Sequence, residues 1–276
     1  MSEAFRYIEF RVEDNVGVIT FNRPAKRNAV SWEMAEEVAG LLRALHYRDE
    51  VRAIVLTGAG RGFCAGGDLE WISGESERPM PGTSDASRPV PRSQRKTPGG
   101  PFFEVTRQLV AVDKPVIAAI HGACVGAGLA YAAACDRRFA DTTTKMCAAF
   151  TNVGVAPDCG VSYFLPRIAG FSNALMMVTT GRMFSAEECR QLGVIDELVP
   201  EGQHFAAAMD YARALAARAS VAVDMARRLI HLSQHATLDE ILDYEGLAGV
   251  CVAASADAKE GTMAFVEKRK PVFRGV

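Results

Sequence analysis

Short β-branched runs alternate with amphipathic stretches through the first two thirds of the chain. Residues 16–22, VGVITFN, and 51–58, VRAIVLTG, are rich in Val and Ile and end in turn residues, which predicts strands. Between them Ser31 precedes Met34, Val38, Leu41, Leu42 and Leu45. Apolar residues three and four apart share one helical face, and a serine hydroxyl can accept from the unpaired N–H groups at a helix start. The segment therefore predicts a capped helix. Residues 115–122, PVIAAIHG, are apolar without alternation, as in a strand covered on both faces. Strand, helix and strand in succession predict α/β layers joined by crossovers.

After about residue 200 the strand pattern stops. HFAAAMDYARALAARA, VAVDMARRLIHLSQ and LDEILDYEGLAGVCVAA all carry helical periodicity. In the first, Ala206, Met209, Ala212, Leu215 and Ala216 recur at helical spacing. The predicted division is a core over 1–200 and a helical region over 201–276. Its apolar faces exceed what a small appendage can bury, so it is expected to self-associate. Residues 73–101 are rich in Pro, Ser, Gly and Arg. They predict a loop, either a mobile surface insertion or a lid over a site.

Composition narrows the function classes. The 276 residues carry 31 basic and 33 acidic side chains, a net charge of -2, without the basic excess of a nucleic-acid surface. A hydrophobic content of 49% supports a large core, and no apolar run reaches membrane-span length. The beginning, MSEAFRYIEF, has no apolar signal core. Seven scattered cysteines without a C-x-x-C pair suit buried thiols in a reducing compartment. The expectation is a cytoplasmic protein without structural metal.

Two glycine turns carry the candidate chemistry. HGACVGAGLAYAAACD (121–136) reads as strand, glycines and buried helix. A dinucleotide cradle of this layout needs a small residue where Tyr131 stands and an acid some 20 residues on, where Met146 and its neighbours offer none. The other use of the layout is electrostatic. The first N–H groups of a helix lack internal partners and can hold an oxygen that becomes negative during reaction. GRGFCAGGDLEWI (60–72) repeats the design. One such turn alone reads as tight packing; two can form a pair of donors.

FNRPAKRNAVS, GFCAGGDL, AIHGACVGAGLAYAAACD, NVGVAPDCGVSYFLPRIAG and GRMFSAEECRQLGVIDELVP resemble, in order and spacing, the enoyl-CoA hydratase/isomerase (crotonase) superfamily. The resemblance runs from about residue 8 to the end of the chain, interrupted by 73–101. It implies an α/β fold, a spiral of repeated ββα units with a C-terminal helical appendage, that assembles as a trimer or hexamer. It implies an acyl-CoA thioester substrate, with coenzyme A as part of the substrate and no separate cofactor. The thioester oxygen would be held by the backbone N–H groups of Gly67 and Ala127. Ala65, Gly67, Asp68 and Leu69 of the first turn, with Lys26, Arg27 and Ala29 of the PAKRNAVS turn, would lie along the CoA. Phe265 and Lys268 match a segment placed near the CoA of a site.

Hydratases of the superfamily carry two glutamates, and the matching positions here are Ala130 and Phe150. One acid remains near the expected place, Asp158 in NVGVAPDCG, where isomerases of the superfamily carry Glu or Asp and a dehalogenating branch uses Asp as nucleophile. The bland alternative is a turn-forming aspartate. Asp68 reads as a helix cap, His121 as a structural hydrogen-bonder and Cys64 as a small buried thiol. A single acid suits a shift of a double bond from C3 to C2, because one group takes the C2 proton and returns it at C4. Val153, Val155, Val161 and Phe150 are its apolar surroundings in sequence. Other expectations are a hydratase with a water-shuttling Asp158, a thioester hydrolase, or a non-catalytic acyl-CoA scaffold.

Overall fold

The protein is represented by a computed structural model that describes residues 5–72 and 99–276. Strand β1 (Ile8–Glu13) pairs antiparallel with β2 (Val16–Phe21). Strands β3 (Ala53–Gly58), β4 (Val116–Ile120), β6 (Arg137–Asp141) and β9 (Glu197–Val199) continue the sheet in parallel, in the order β1-β2-β3-β4-β6-β9. Every residue of β2 and β4 is buried, as the lack of alternation in 115–122 requires.

β4 ends before the predicted limit because Gly122 takes φ +53, where a Cβ would lie 2.3 Å from the Arg61 carbonyl oxygen. This turn sends the chain into a second sheet made of β5 (Ala123–Val125), β7 (Lys145–Cys147) and β8 (Phe184–Ser185). Strands of two or three residues carry no readable period, so the sequence does not announce this layer.

The helices are α1 (Trp32–Leu45), α2 (Leu69–Ile72), α3 (Gly100–Ala111), α4 (Ala127–Ala134), α5 (Val161–Ala169) and α6 (Phe171–Thr180). They continue with α7 (Ala186–Gln191), α8 (His204–Ala216), α9 (Ser220–Leu232), α10 (Leu238–Ala253) and α11 (Ala256–Val266). Ser31 caps α1 as expected, its Oγ accepting from the Met34 N–H at 3.3 Å. The predicted 73–101 loop ends earlier than expected: Gly100 and Pro101 open α3, where proline costs nothing because the first N–H groups have no helical partner. Residues 73–98 lie outside the described residues, so the mobile-insertion and lid readings fall there too.

Each face of the large sheet has its own core. Ile19, Phe21, Ile54, Leu56 and Ile120 pack with Met34, Val38 and Leu42 of α1 and Leu109 of α3. On the other face Val18, Val55 and Ile117 meet Ala208, Met209, Ala212 and Ala216 of α8. Helix α8 is therefore part of the sheet's packing. Helix α9 is tied down by the buried Arg227, which donates to Asp136 at 2.7 Å and to the carbonyls of Leu109 and Val110. Helices α10 and α11 expose Leu247, Val250, Phe265 and Val266. Among the described residues no helix is long and apolar enough to cross a membrane.

Candidate active site

The two glycine turns meet. The Val125 N–H donates to the Cys64 carbonyl and the Cys64 N–H to the Ala123 carbonyl, each at 2.9 Å, so the two segments run side by side. Gly126 takes φ +51 at the head of α4, a region costly for a residue with a Cβ. Gly128 has a different reason: a Cβ there would lie 2.6 Å from the Cys64 carbonyl oxygen. Ala132, Ala133 and Ala134 complete a helix buried all round, with all its residues inside the protein.

Neighbouring amides are occupied. Ala65 N–H donates to the Arg27 carbonyl, Asp68 N–H to Val30 and Gly126 N–H to Cys147. Among the described residues the Gly67 N–H has no such acceptor, and the Ala127 N–H opens α4, where helix geometry supplies none. Both residues border one cavity of about 190 Å³, together with Ala65, Leu69, Phe102, Phe150, Val153, Val155 and Asp158. Two free amides at an apolar pocket can stabilise a thioester oxygen more as it becomes charged than in the ground state.

Asp158 is the one carboxylate among the described residues that border this cavity. The turn it belongs to closes through its backbone carbonyl, which accepts from the Val161 N–H at 3.1 Å. The side chain is thus not consumed in holding the turn. Burial pushes the carboxyl group above its ordinary value, and the neighbouring Cys159 thiol opposes that rise. Of the apolar residues expected around it, Phe150, Val153 and Val155 border the cavity, while Val161 is buried and does not border it. The two positions matching hydratase acids are apolar in space as well. Ala130 is fully buried in α4 and Phe150 forms cavity wall.

Other predicted residues fall into two groups. Ala65, Gly67 and Leu69 border the cavity; Asp68 does not. The Asp68 carboxylate accepts from Arg23 Nη2 at 2.8 Å and from the Glu70 N–H at 3.2 Å, which makes it a helix cap and ion-pair partner. Lys26 pairs with Glu70 on the surface. Arg27 takes φ 50 and supplies the carbonyl that holds Ala65, and the Ala29 carbonyl accepts from Arg23. Phe265 and Lys268 lie at the end of α11 and do not border the cavity of their own chain. Cys64 is fully buried, and that burial pushes its thiol up to about 12. His121 bonds the Gly60 carbonyl at 3.1 Å and stacks on His204, outside the cavity.

Sequence reasoning missed Asn28. It is fully buried, accepts from the Arg23 N–H at 2.9 Å and donates to the carbonyls of Ala59 and Gly62, both at 2.8 Å. It ties the PAKRNAVS turn to the first glycine loop. An asparagine in a turn, tolerant of its φ of 57, was the signal available.

The family model for enoyl-CoA hydratase/isomerase matches residues 11–276. The chain belongs to the enoyl-CoA hydratase/isomerase family. It is 35% identical over 273 residues to a 1,2-epoxyphenylacetyl-CoA isomerase of Escherichia coli (strain K12), covering 98% of each chain. It is 28% identical over 278 residues to a peroxisomal Delta(3,5)-Delta(2,4)-dienoyl-CoA isomerase of Arabidopsis thaliana, again covering 98% of each. Among solved structures, an enoyl-CoA hydratase from Bacillus anthracis superposes with a TM-score of 0.86 at 28% identity, covering 98% of this chain and 100% of that one. The enoyl-CoA hydratase/isomerase fold, with its C-terminal helices, is the spiral the sequence implied, and the chain is an enzyme of this acyl-CoA type.

Proposed function

We propose that this family member moves a double bond of an acyl-CoA thioester from C3 to C2, with Asp158 as the single acid–base group. The observation that carries the reading is the cavity itself. It joins one carboxylate to the amides of Gly67 and Ala127 and is otherwise walled by apolar side chains and backbone. The Asp158 carboxylate removes a C2 proton. The C–H electrons form a C1–C2 double bond, and the carbonyl electrons move onto the thioester oxygen, where the two amides meet the charge. The protonated Asp158 then delivers the same proton to C4. The electrons return, the double bond is left between C2 and C3, and no water is consumed. A carboxyl group raised by burial is suited to holding that proton between the two steps.

Hydration would need a second group to activate water, and the described cavity wall offers no second carboxylate. The two relatives named as isomerases support the same direction. The CoA moiety would run past Ala65 and Leu69 toward the turn of Lys26, Arg27 and Ala29. The exposed apolar faces of α10 and α11, with Phe265 and Lys268 beyond them, would be covered in a homotrimer or hexamer in the cytoplasm.

The test is a product assay with short panels of 3-enoyl-CoA and 2-enoyl-CoA thioesters. The reading expects 2-enoyl product from the first and little hydration of the second. Asp158→Asn keeps the size of the group and should cut turnover by a factor on the order of 100 or more with nearly unchanged thioester affinity. Full isomerase turnover in that variant would refute the single-acid mechanism.

A further inference from the structure

The first glycine turn is backed by a chain of hydrogen bonds that begins on a largely buried charge. Arg23 lies two residues after β2, and its Nη1 donates to the Ala29 carbonyl. That carbonyl shares a peptide plane with the Val30 N–H, which donates to the Gly66 carbonyl at 2.7 Å. The Gly66 carbonyl in turn shares a plane with the N–H of Gly67, a residue that borders the cavity. In a trans peptide the C=O and N–H point in opposite directions, so each bond aims the next. Arg23 also clamps the two segments together. Its Nη2 donates to Asp68 Oδ2 at 2.8 Å, one residue beyond Gly67, while the Asp68 N–H donates to the Val30 carbonyl at 2.9 Å. The Arg23 main chain is itself fixed, its N–H donating to Asn28 Oδ1 at 2.9 Å. Val30 is buried, and the Arg23 and Asp68 side chains are 16% and 9% exposed, so water screens this arrangement little.

We propose that Arg23 is a positioning residue that aims and polarises the Gly67 amide through these two peptide units. This rests on the reading of the Gly67 N–H as a donor to the thioester oxygen. A guanidinium that donates to the Ala29 carbonyl draws electron density toward that oxygen and makes the Val30 N–H a stronger donor. The Val30 N–H does the same for Gly67. Each bond in such a chain strengthens the next by about 10–30%. The positive charge thus stands at the far end of a relay whose near end meets the oxygen that turns negative, and Arg23 itself does not border the cavity. The planar fork matters as much as the charge. It reaches acceptors on two segments at once, which an ammonium on a flexible stem does less well. The two acceptors are placed for this: Ala29 precedes Val30 and Asp68 follows Gly67, and Val30 and Gly67 are the residues that pair across the turns.

The test reads the thioester carbonyl directly. Acetyl-CoA has no C4 and cannot undergo the double-bond shift. Labelled at its carbonyl carbon and bound at saturation, it reports the amide donors through its carbonyl stretch in difference infrared spectra, without turnover. In the wild type the stretch should lie below its value in water, and in Arg23→Met much of that shift should be lost. Because Arg23→Met leaves Asp68 buried and unpaired, Arg23→Met combined with Asp68→Asn is measured beside it, with the same loss expected. Arg23→Lys, which keeps the charge, should recover part of the shift. With a 3-enoyl-CoA substrate, kcat should fall roughly tenfold in the double variant, a fraction of what a whole donor contributes, with KM little changed. A wild-type carbonyl shift in the double variant overturns the proposal. So does a loss that lysine leaves unrepaired, which assigns the effect to packing. A wild-type enzyme that binds acetyl-CoA without any shift refutes the donor pair itself, and with it the proposed function. The expected carbonyl shifts without turnover of 3-enoyl thioesters would refute the double-bond shift and leave the relay standing.

Discussion

Gly128→Ala tests the claim that close approach of two backbone segments aligns the amide donors. The added Cβ would lie 2.6 Å from the Cys64 carbonyl oxygen, 2.8 Å from Cys64 Cβ and 3.1 Å from its Sγ, against ordinary contacts that begin near 3.4 Å. Helix α4 or the 64–66 segment must therefore give by roughly 0.8 Å to clear the carbonyl. Neither can yield a flexible side chain, because the nearest atom is backbone held in the Val125 N–H bond. Overpacking of this kind costs about 1–3 kcal/mol of stability. The displacement also carries Ala127 away from Gly67, and a misplacement of that order costs roughly 10- to 100-fold in rate. The assay is steady-state kinetics beside thermal melting, with Gly40→Ala as control. Gly40 is an exposed position in α1 with no atom within 4 Å of an added Cβ, so alanine there should leave the rate alone and raise stability by about 0.5–1 kcal/mol. A Gly128→Ala enzyme with wild-type kcat/KM would refute the link between this contact and the donor pair.

Burial holds Asp158 above its ordinary value, and the proposed base would work only when ionised. Thus kcat/KM should fall as pH drops through a value above the ordinary 3.8, and a limb at or below it would contradict the buried site. Asp224 is pushed up to about 7 by burial, and its Oδ1 has no hydrogen-bond partner among the described residues. The fold disfavours its ionised form, so stability is lost as pH rises from about 4 through 7. Asp224→Asn, neutral throughout, should gain about 1–3 kcal/mol at pH 8 and little at pH 4, read as Tm in melts at both values. Six of the seven cysteines are buried and Cys251 is exposed, so a maleimide should label one thiol per native chain if the monomer face is open and all seven in denaturant. Light scattering at micromolar concentration should show a trimer or hexamer, since Leu247, Val250, Phe265 and Val266 are each at least 68% exposed in the single chain; a stable monomer would contradict that assembly.

Local physics was legible in the sequence wherever a signal ran through enough residues. β2, β3 and β4 are continuous apolar runs, and α1 has both period and cap, so each announced itself within a few residues of its true ends. The glycine turns were legible because a positive φ or a backbone contact leaves no other residue type. Asp158 stood out because the matching hydratase positions, Ala130 and Phe150, cannot carry a proton. Tertiary structure decided the rest, and for a common reason: those features depend on partners far away in the chain. The second sheet is built from strands of two or three residues that exist only through their pairing. Helix α8 joined the core because the far face of the sheet needed cover, which no period within α8 could reveal. Asp68, legible as a cap, is tied to Arg23 and stays out of the cavity wall, and Asn28 became the buried tie between two loops. The environment of Asp158 was decided the same way. Its raised pKa follows from burial beside Phe102 and Phe150, residues that come together with it only when α3 and the 150–160 loop close on one cavity.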